Sequence, residues 1–148
     1  MKLQESGENY LENILILEQR QGRVRSVDLA EEMNFSKPSI SRAVHLLEDG
    51  AYIKIDNDGS LLLTETGRKV AETIYERHIF ITEFLMSLGV PEHSAAEDAC
   101  RIEHVISAES FEALKRGFRN CPPNCPRANR DQLFDSTRKV ISERTEKD

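Results

Sequence analysis

The sequence predicts a mainly α fold interrupted by one small β-hairpin, and three observations carry that prediction. Two short segments of helical periodicity follow one another closely between residues 26 and 49. A pair of apolar runs on either side of an Asp-Gly turn comes directly after them, over residues 52–63. Apolar residues then recur at helical spacing along most of the remaining chain. Two helices followed by a hairpin is the order of parts of a winged helix-turn-helix. We therefore expect such a domain, with the hairpin as its wing, over residues 1–66, and an all-α domain over residues 67–148.

From about Gly7 to Gln21, the residues Tyr10, Leu11, Ile14, Leu15 and Leu17 form an apolar stripe, which Gly22 ends. Ser26 is placed as the N-cap of a helix over Val27–Met33, with Asp28 in the first turn, where the helix dipole favours a carboxylate. Asn34 tolerates the left-handed conformation that closes a helix. In SKPSISRAVHLLEDG, Ser36 caps and Pro38 occupies the first turn, where a missing N–H leaves no bond unmade. Ile40, Val44 and Leu47 share the inner face of that helix, and Asp49 and Gly50 stop it. Strands are expected at Tyr52–Ile55 and Ser60–Leu63, joined through Asp58 and Gly59.

A long helix from Thr64 to about Leu88 aligns Val70, Ile74, Ile81 and Leu85, and His78 falls inside that stripe. Gly89 breaks it. Pro91 starts a helix reaching about Ile106, and Ser107 caps the next, with Phe111, Leu114 and Phe118 inward for core or interface. NCPPNCPR reads as a proline-rigid loop, followed from about Arg130 by a helical segment around Leu133, Phe134, Val140 and Ile141. Cys121 and Cys125 lie in that loop at a spacing that zinc knuckles do not use, so they are read as two loop thiols.

Of the 148 residues, 39% are hydrophobic and 31% charged, and no apolar run approaches the roughly 18 residues of a membrane helix. The opening MKLQESGENY has no apolar signal region, and three cysteines, an odd number, point to reduced thiols. A cytoplasmic protein with no membrane partner is expected. The net charge of −6 argues on average against nucleic acid. Between Arg20 and Leu47, however, Arg20, Arg23, Arg25, Lys37 and Arg42 face only Asp28, Glu31 and Glu32, a local excess of two positive charges.

That excess sits where a DNA-reading helix would need it. Such a helix presents short polar and basic side chains to base edges and phosphates, as Ser39, Ser41 and Arg42 do here. Lys37 and either Arg23 or Arg25 suit phosphates, which set register without reading sequence. We place the DNA-contacting surface at Arg25, Ser36, Lys37, Pro38, Ser39, Ser41 and Arg42. The acidic tip DNDG is not expected to grip phosphate. The expected partner is double-stranded operator DNA, and a homodimer is expected to read it because one helix samples too little sequence.

CRIEH, residues 100–104, sets a thiol, a carboxylate and an imidazole three and four residues apart, on one helical face. Cys100, Glu103 and His104 combine soft, hard and borderline donors, which suits a late divalent metal better than calcium or magnesium. Three ligands do not close a site. Glu8, Asn9 and Glu12 on the first helix and His78 on the long helix can add to them. Each has a bland alternative: a histidine satisfied in the core, glutamates complementing a dipole, a cysteine acting as a small hydrophobe. Their joint occurrence on three helices favours the metal. The competing classes are a metal-independent winged-helix regulator and a metalloenzyme. No nucleophile–base pair stands out, so no enzyme and no small-molecule substrate are expected.

These residues resemble the diphtheria toxin repressor family of iron- and manganese-dependent transcriptional repressors. The resemblance covers roughly residues 6–118 and is carried by ENYLENILIL, SVDLAEEMNFSKPSISRAVHLLEDGAYI, LTETGRKVAETIYERHIFITEFL and, most specifically, EDACRIEHVIS. It implies an all-α metal-binding and dimerisation domain, the short form without an SH3-like domain, and operator binding only by the metal-loaded dimer. It implies the ligands Asn9, Glu12, His78, Cys100, Glu103 and His104. Cys100 agrees with the iron type and Glu12 with the manganese type. Asn9 stands where the two types have methionine or aspartate. Thr82 and Ala96 replace two ligands of the iron type's second site, with Glu97 and Glu8 as the acidic candidates nearby. Thiolate favours softer ions, so Fe2+ is expected first and Mn2+ second, while Zn2+, Co2+ or Ni2+ can substitute in vitro. Metal would offset repulsion among Glu8, Glu12 and Glu103 and so fix the first helix.

Overall fold

The computed structural model describes residues 4–119; Cys121, Cys125 and the helical segment expected from about Arg130 lie outside them. Six helices and one two-stranded sheet are present among the described residues. Packing divides the chain into two compact units, Met1–Tyr75 and Glu76–Asp148, a division that falls within the long helix. No helix among the described residues is long and apolar enough to cross a membrane.

The first unit holds α1 (Glu5–Gln21), α2 (Ser26–Met33), α3 (Lys37–Asp49), β1 (Ile53–Ile55), β2 (Leu61–Leu63) and the start of α4 (Glu65–Ser87). Leu11, Ile14 and Leu15 of α1, Leu29 of α2 and Ile40 of α3 are fully buried together with Ile53 and Leu61 of the hairpin. Each such side chain contributes roughly 1.5–3 kcal/mol by leaving water, so this shared core is what holds α2 and α3 at their mutual angle. β1 and β2 pair antiparallel with Ile53 opposite Leu63 and Ile55 opposite Leu61. The hairpin is not left with a bare edge: Leu61 N–H donates to the Val24 carbonyl (2.8 Å), and Arg25 bridges to Ser60.

The caps show where local reasoning holds and where it slips. Ser36 Oγ accepts from Ser39 N–H at 3.4 Å, and Asn34 closes α2 in the left-handed region at φ 54°. Ser26, expected as the cap of α2, is instead its first helical residue. Asp28 does the capping from inside the first turn, its carboxylate accepting from the Arg25 backbone N–H at 2.8 Å. α3 stops at Asp49 and Gly50 as expected, and the residue just past that cap, Ala51, is left-handed (φ 61°). Gly50 is needed for room, since a Cβ there would meet the Tyr52 ring at 2.9 Å. Thr64 starts α4, its hydroxyl accepting from Gly67 N–H (3.1 Å) and donating to the Ala51 carbonyl (2.7 Å).

The second unit comprises the remainder of α4, α5 (Glu92–Val105) and α6 (Ala108–Arg119). Its core is aromatic: Phe80, Phe111 and Phe118 meet edge to face, with centroids 5.4 and 5.6 Å from Phe80. Ser107 caps α6 as expected, accepting from Ser110 N–H at 3.0 Å. Of the three residues expected inward on α6, Phe111 and Phe118 are buried, whereas Leu114 is exposed. It lines an open groove with Phe84, Ala113 and Phe118.

Candidate metal centre and nucleic-acid interface

α5 carries Cys100, Glu103 and His104, and the position of α4 beside it decides what they can do. Glu103 is fully buried, an unusual state for a carboxylate without a charged or hydrogen-bonded partner. Its Oε2 lies 2.8 Å from His78 Nδ1 on α4, and its Oε1 lies 3.2 Å from His104 Nε2. Oε1 accepts no hydrogen bond of good geometry among the described residues, so a buried polar atom is left unsatisfied. One donor atom from each of His78, Cys100 and Glu103 can be chosen so that all three lie within 4.8 Å of one another. Cys100 is at the exposed side of this group, His78 is partly buried, and the His104 side chain is only 3% exposed.

This donor set fits a divalent transition ion. A buried carboxylate with an unsatisfied oxygen, flanked by two imidazoles and a thiol, is costly as it stands and is relieved by a cation. Nitrogen, oxygen and sulfur donors together match iron, cobalt or zinc better than the all-oxygen coordination of calcium.

The other residues expected at the centre lie in the first unit or turn away. Asn9 and Glu12 are on α1, nearly one turn apart, with Glu12 buried. The Asn9 side-chain oxygen accepts from the Asn13 amide at 3.2 Å. Thr82 turns back on its own helix, its hydroxyl donating to the His78 carbonyl (2.7 Å), and Glu97 is exposed beside His93 at 3.4 Å. Neither belongs to the cluster around Glu103.

In the first unit, Lys37, Pro38, Ser41 and Arg42 are exposed along one side of α3, opposite the buried Ile40, Val44 and Leu47. Ser36 and Ser39 are joined hydroxyl to hydroxyl at 2.8 Å, so part of their hydrogen-bonding capacity is used in the cap. Arg25 is exposed at the start of α2.

Arg23 was one of two candidates for phosphate, but its guanidinium is turned to the wing. It donates from Nε to Ser60 Oγ at 2.8 Å and pairs with the Asp58 carboxylate. Hydrogen bonds from Ser60, with Arg23 and Arg25 nearby, hold the Asp58 carboxyl below its usual range. An acidic wing tip is thus partly neutralised and tied to the chain entering α2. Sequence reading missed this role, and the only signal for it was the chemical complementarity of Arg23 and Asp58 across 35 residues.

Comparison with known proteins places both halves of the chain. Residues 2–61 match the family model described as "Iron dependent repressor, N-terminal DNA binding domain". Residues 64–132 match "Iron dependent repressor, metal binding and dimerisation domain". The chain is 31% identical over 109 residues to the HTH-type transcriptional regulator MntR of Geobacillus kaustophilus, spanning 74% of this chain and 77% of that protein. Among solved structures it is similar to the manganese regulator SloR, with 31% identity and a TM-score of 0.69 over 85% of this chain and 58% of SloR. It is also similar to the metal-dependent transcriptional regulator MtsR, with 25% identity and a TM-score of 0.71 over 81% of this chain and 56% of MtsR.

Proposed function

Because the chain belongs to the iron-dependent repressor family of metal-dependent transcriptional regulators, we propose that it is a cytoplasmic repressor that binds operator DNA as a homodimer when loaded with iron(II). What supports a metal as the effector is the buried Glu103 carboxylate set between His78 and His104, with Cys100 within reach. We assign His78, Cys100, Glu103 and His104 as ligands from the second unit. Asn9 and Glu12 are ligands by resemblance. The ion would supply positive charge to a group of acids, and through that a single arrangement of the DNA-reading surface formed by Arg25, Ser36, Lys37, Pro38, Ser39, Ser41 and Arg42. A ligand shifts such an equilibrium only by binding one state better than the other, so the metal-free protein must hold a poorer site.

Manganese(II) is the second reading, since the relative SloR is described as a manganese regulator. The thiol of Cys100 is the argument for the softer iron. The test is selection of duplexes from a random DNA library by the purified chain under anaerobic conditions, with iron(II), with manganese(II) and with chelator. Duplexes retained with metal and released by chelator support the reading, and the ion effective at the lower free concentration identifies the effector. Retention of the same duplexes with and without chelator would identify a metal-independent regulator and defeat it.

A further inference from the structure

We propose that Arg77 is the positioning residue of the metal centre: it holds the backbone of Glu103 while the neighbouring His78 meets the carboxylate of the same residue. The inference rests on the reading of that cluster as a metal site. Arg77 Nη1 donates to the Glu103 carbonyl at 3.1 Å and to the Ile106 carbonyl at 3.0 Å. Both carbonyls belong to the end of α5, where the backbone leaves the helix at Ile106 (ψ 134°) and the last carbonyls have no N–H of the next turn to accept from. Adjacent residues on α4 thus reach one residue on α5 from two sides, His78 Nδ1 at the carboxylate (2.8 Å) and Arg77 at the main chain.

The guanidinium also packs on an aromatic ring. Its carbon lies 5.7 Å from the centroid of the Phe111 ring, and a second cation, the Lys115 ammonium, lies 4.9 Å from the same centroid. Arg77 Nε is buried with no acceptor among the described residues. A partly desolvated cation with an unused donor is a cost that one more surface ion pair would not require. What it secures is the last turn of α5, where Glu103 and His104 stand. A ligand held by a fixed backbone is presented in one orientation, and groups that orient ligands typically change metal affinity by about 10- to 100-fold when removed.

The sign of the effect separates positioning from simple electrostatics. By Coulomb's law alone, deleting a cation this near a metal site tightens binding of a divalent ion. Loss of positioning weakens it.

The test is cobalt(II) binding to the full-length chain, followed by its visible absorption, for wild type, Arg77→Met, Arg77→Lys, Lys115→Met and His78→Ala. We expect about tenfold weaker binding and a displaced cobalt band in Arg77→Met. Arg77→Lys should lose less, because an ammonium can reach a carbonyl without the ring contact. Lys115→Met removes the other cation on Phe111 and its pair with Glu76 (2.9 Å), and should bind cobalt as the wild type does. Unchanged or tighter binding in Arg77→Met overturns the inference, as does equal weakening in Lys115→Met. If Arg77→Met does not fold, Arg77→Lys decides, with weakened binding in support and wild-type affinity and spectrum against. Absence of cobalt binding in wild type, or binding indifferent to His78→Ala, defeats the metal reading itself and is thereby distinguishable.

Discussion

Glu103→Gln keeps the volume and one oxygen of the buried side chain and removes its charge, so it isolates what the carboxylate does. Glu103 is 0% exposed and stands 2.8 and 3.2 Å from two imidazole nitrogens. Loss of one partner from a buried charged cluster costs about 3–5 kcal/mol in the state that needs it. For a bound divalent ion that is about 100-fold or more in affinity, at 1.4 kcal/mol per factor of ten. A metal at 100 times its dissociation constant stabilises the wild type by about 2.7 kcal/mol, and at equality with that constant by only about 0.4 kcal/mol. With about 4 °C per kcal/mol for a chain of this size, the wild type should gain about 10 °C in Tm and the variant about 2 °C at the same metal concentration. The assay is thermal unfolding by circular dichroism with cobalt(II) or manganese(II), and again with chelator to show that both proteins are folded without metal. A Glu103→Gln variant that gains as much from metal as the wild type would refute the assignment.

Burial pushes the Glu83 carboxyl up from 4.5 to about 7. Its folded pKa is raised above the unfolded value, so its contribution is intact below about 4.5 and is lost as pH rises through 7. Glu83→Gln should flatten this decline, seen as a smaller difference in Tm between pH 5 and pH 8; a variant with the wild-type difference would be evidence of another titrating group. Gly67→Ala places a Cβ 1.9 Å from the Tyr52 carbonyl oxygen, where neither backbone can yield. It should destabilise the first unit by about 3 kcal/mol, lowering the urea midpoint followed by circular dichroism, since the chain has no tryptophan to report fluorescence. Arg42→Ala should relax sequence preference, with about 1–3 kcal/mol less discrimination at the base it reads, measured by competition between operator and mismatched duplexes. Equal loss on every duplex would make Arg42 a phosphate contact instead.

The sequence by itself determined the order and nature of the elements, because that information is local. Stripes such as Leu11, Ile14 and Leu15, the Ser36 cap with Pro38 behind it, and the Asp58-Gly59 turn state their structure within a few residues. It also determined that CRIEH would place three donors on one face, since α-helical spacing alone requires it. A local error falls at the start of α2, where one position decides and Asp28 rather than Ser26 does the capping. Only the tertiary structure decided which polar groups are buried together. Nothing near Glu103 in the chain says that its carboxylate is fully desolvated against His78, 25 residues away, or that Arg77 seizes its carbonyl. Arg23 likewise reads as a spare cation until Ser60 and Asp58 are folded against it. Periodicity states which face of a helix is apolar. Which polar group meets which depends on how two helices cross, and that is set by the packing of Phe80, Phe111 and Phe118, and of Leu11, Ile40 and Ile53, into their separate cores.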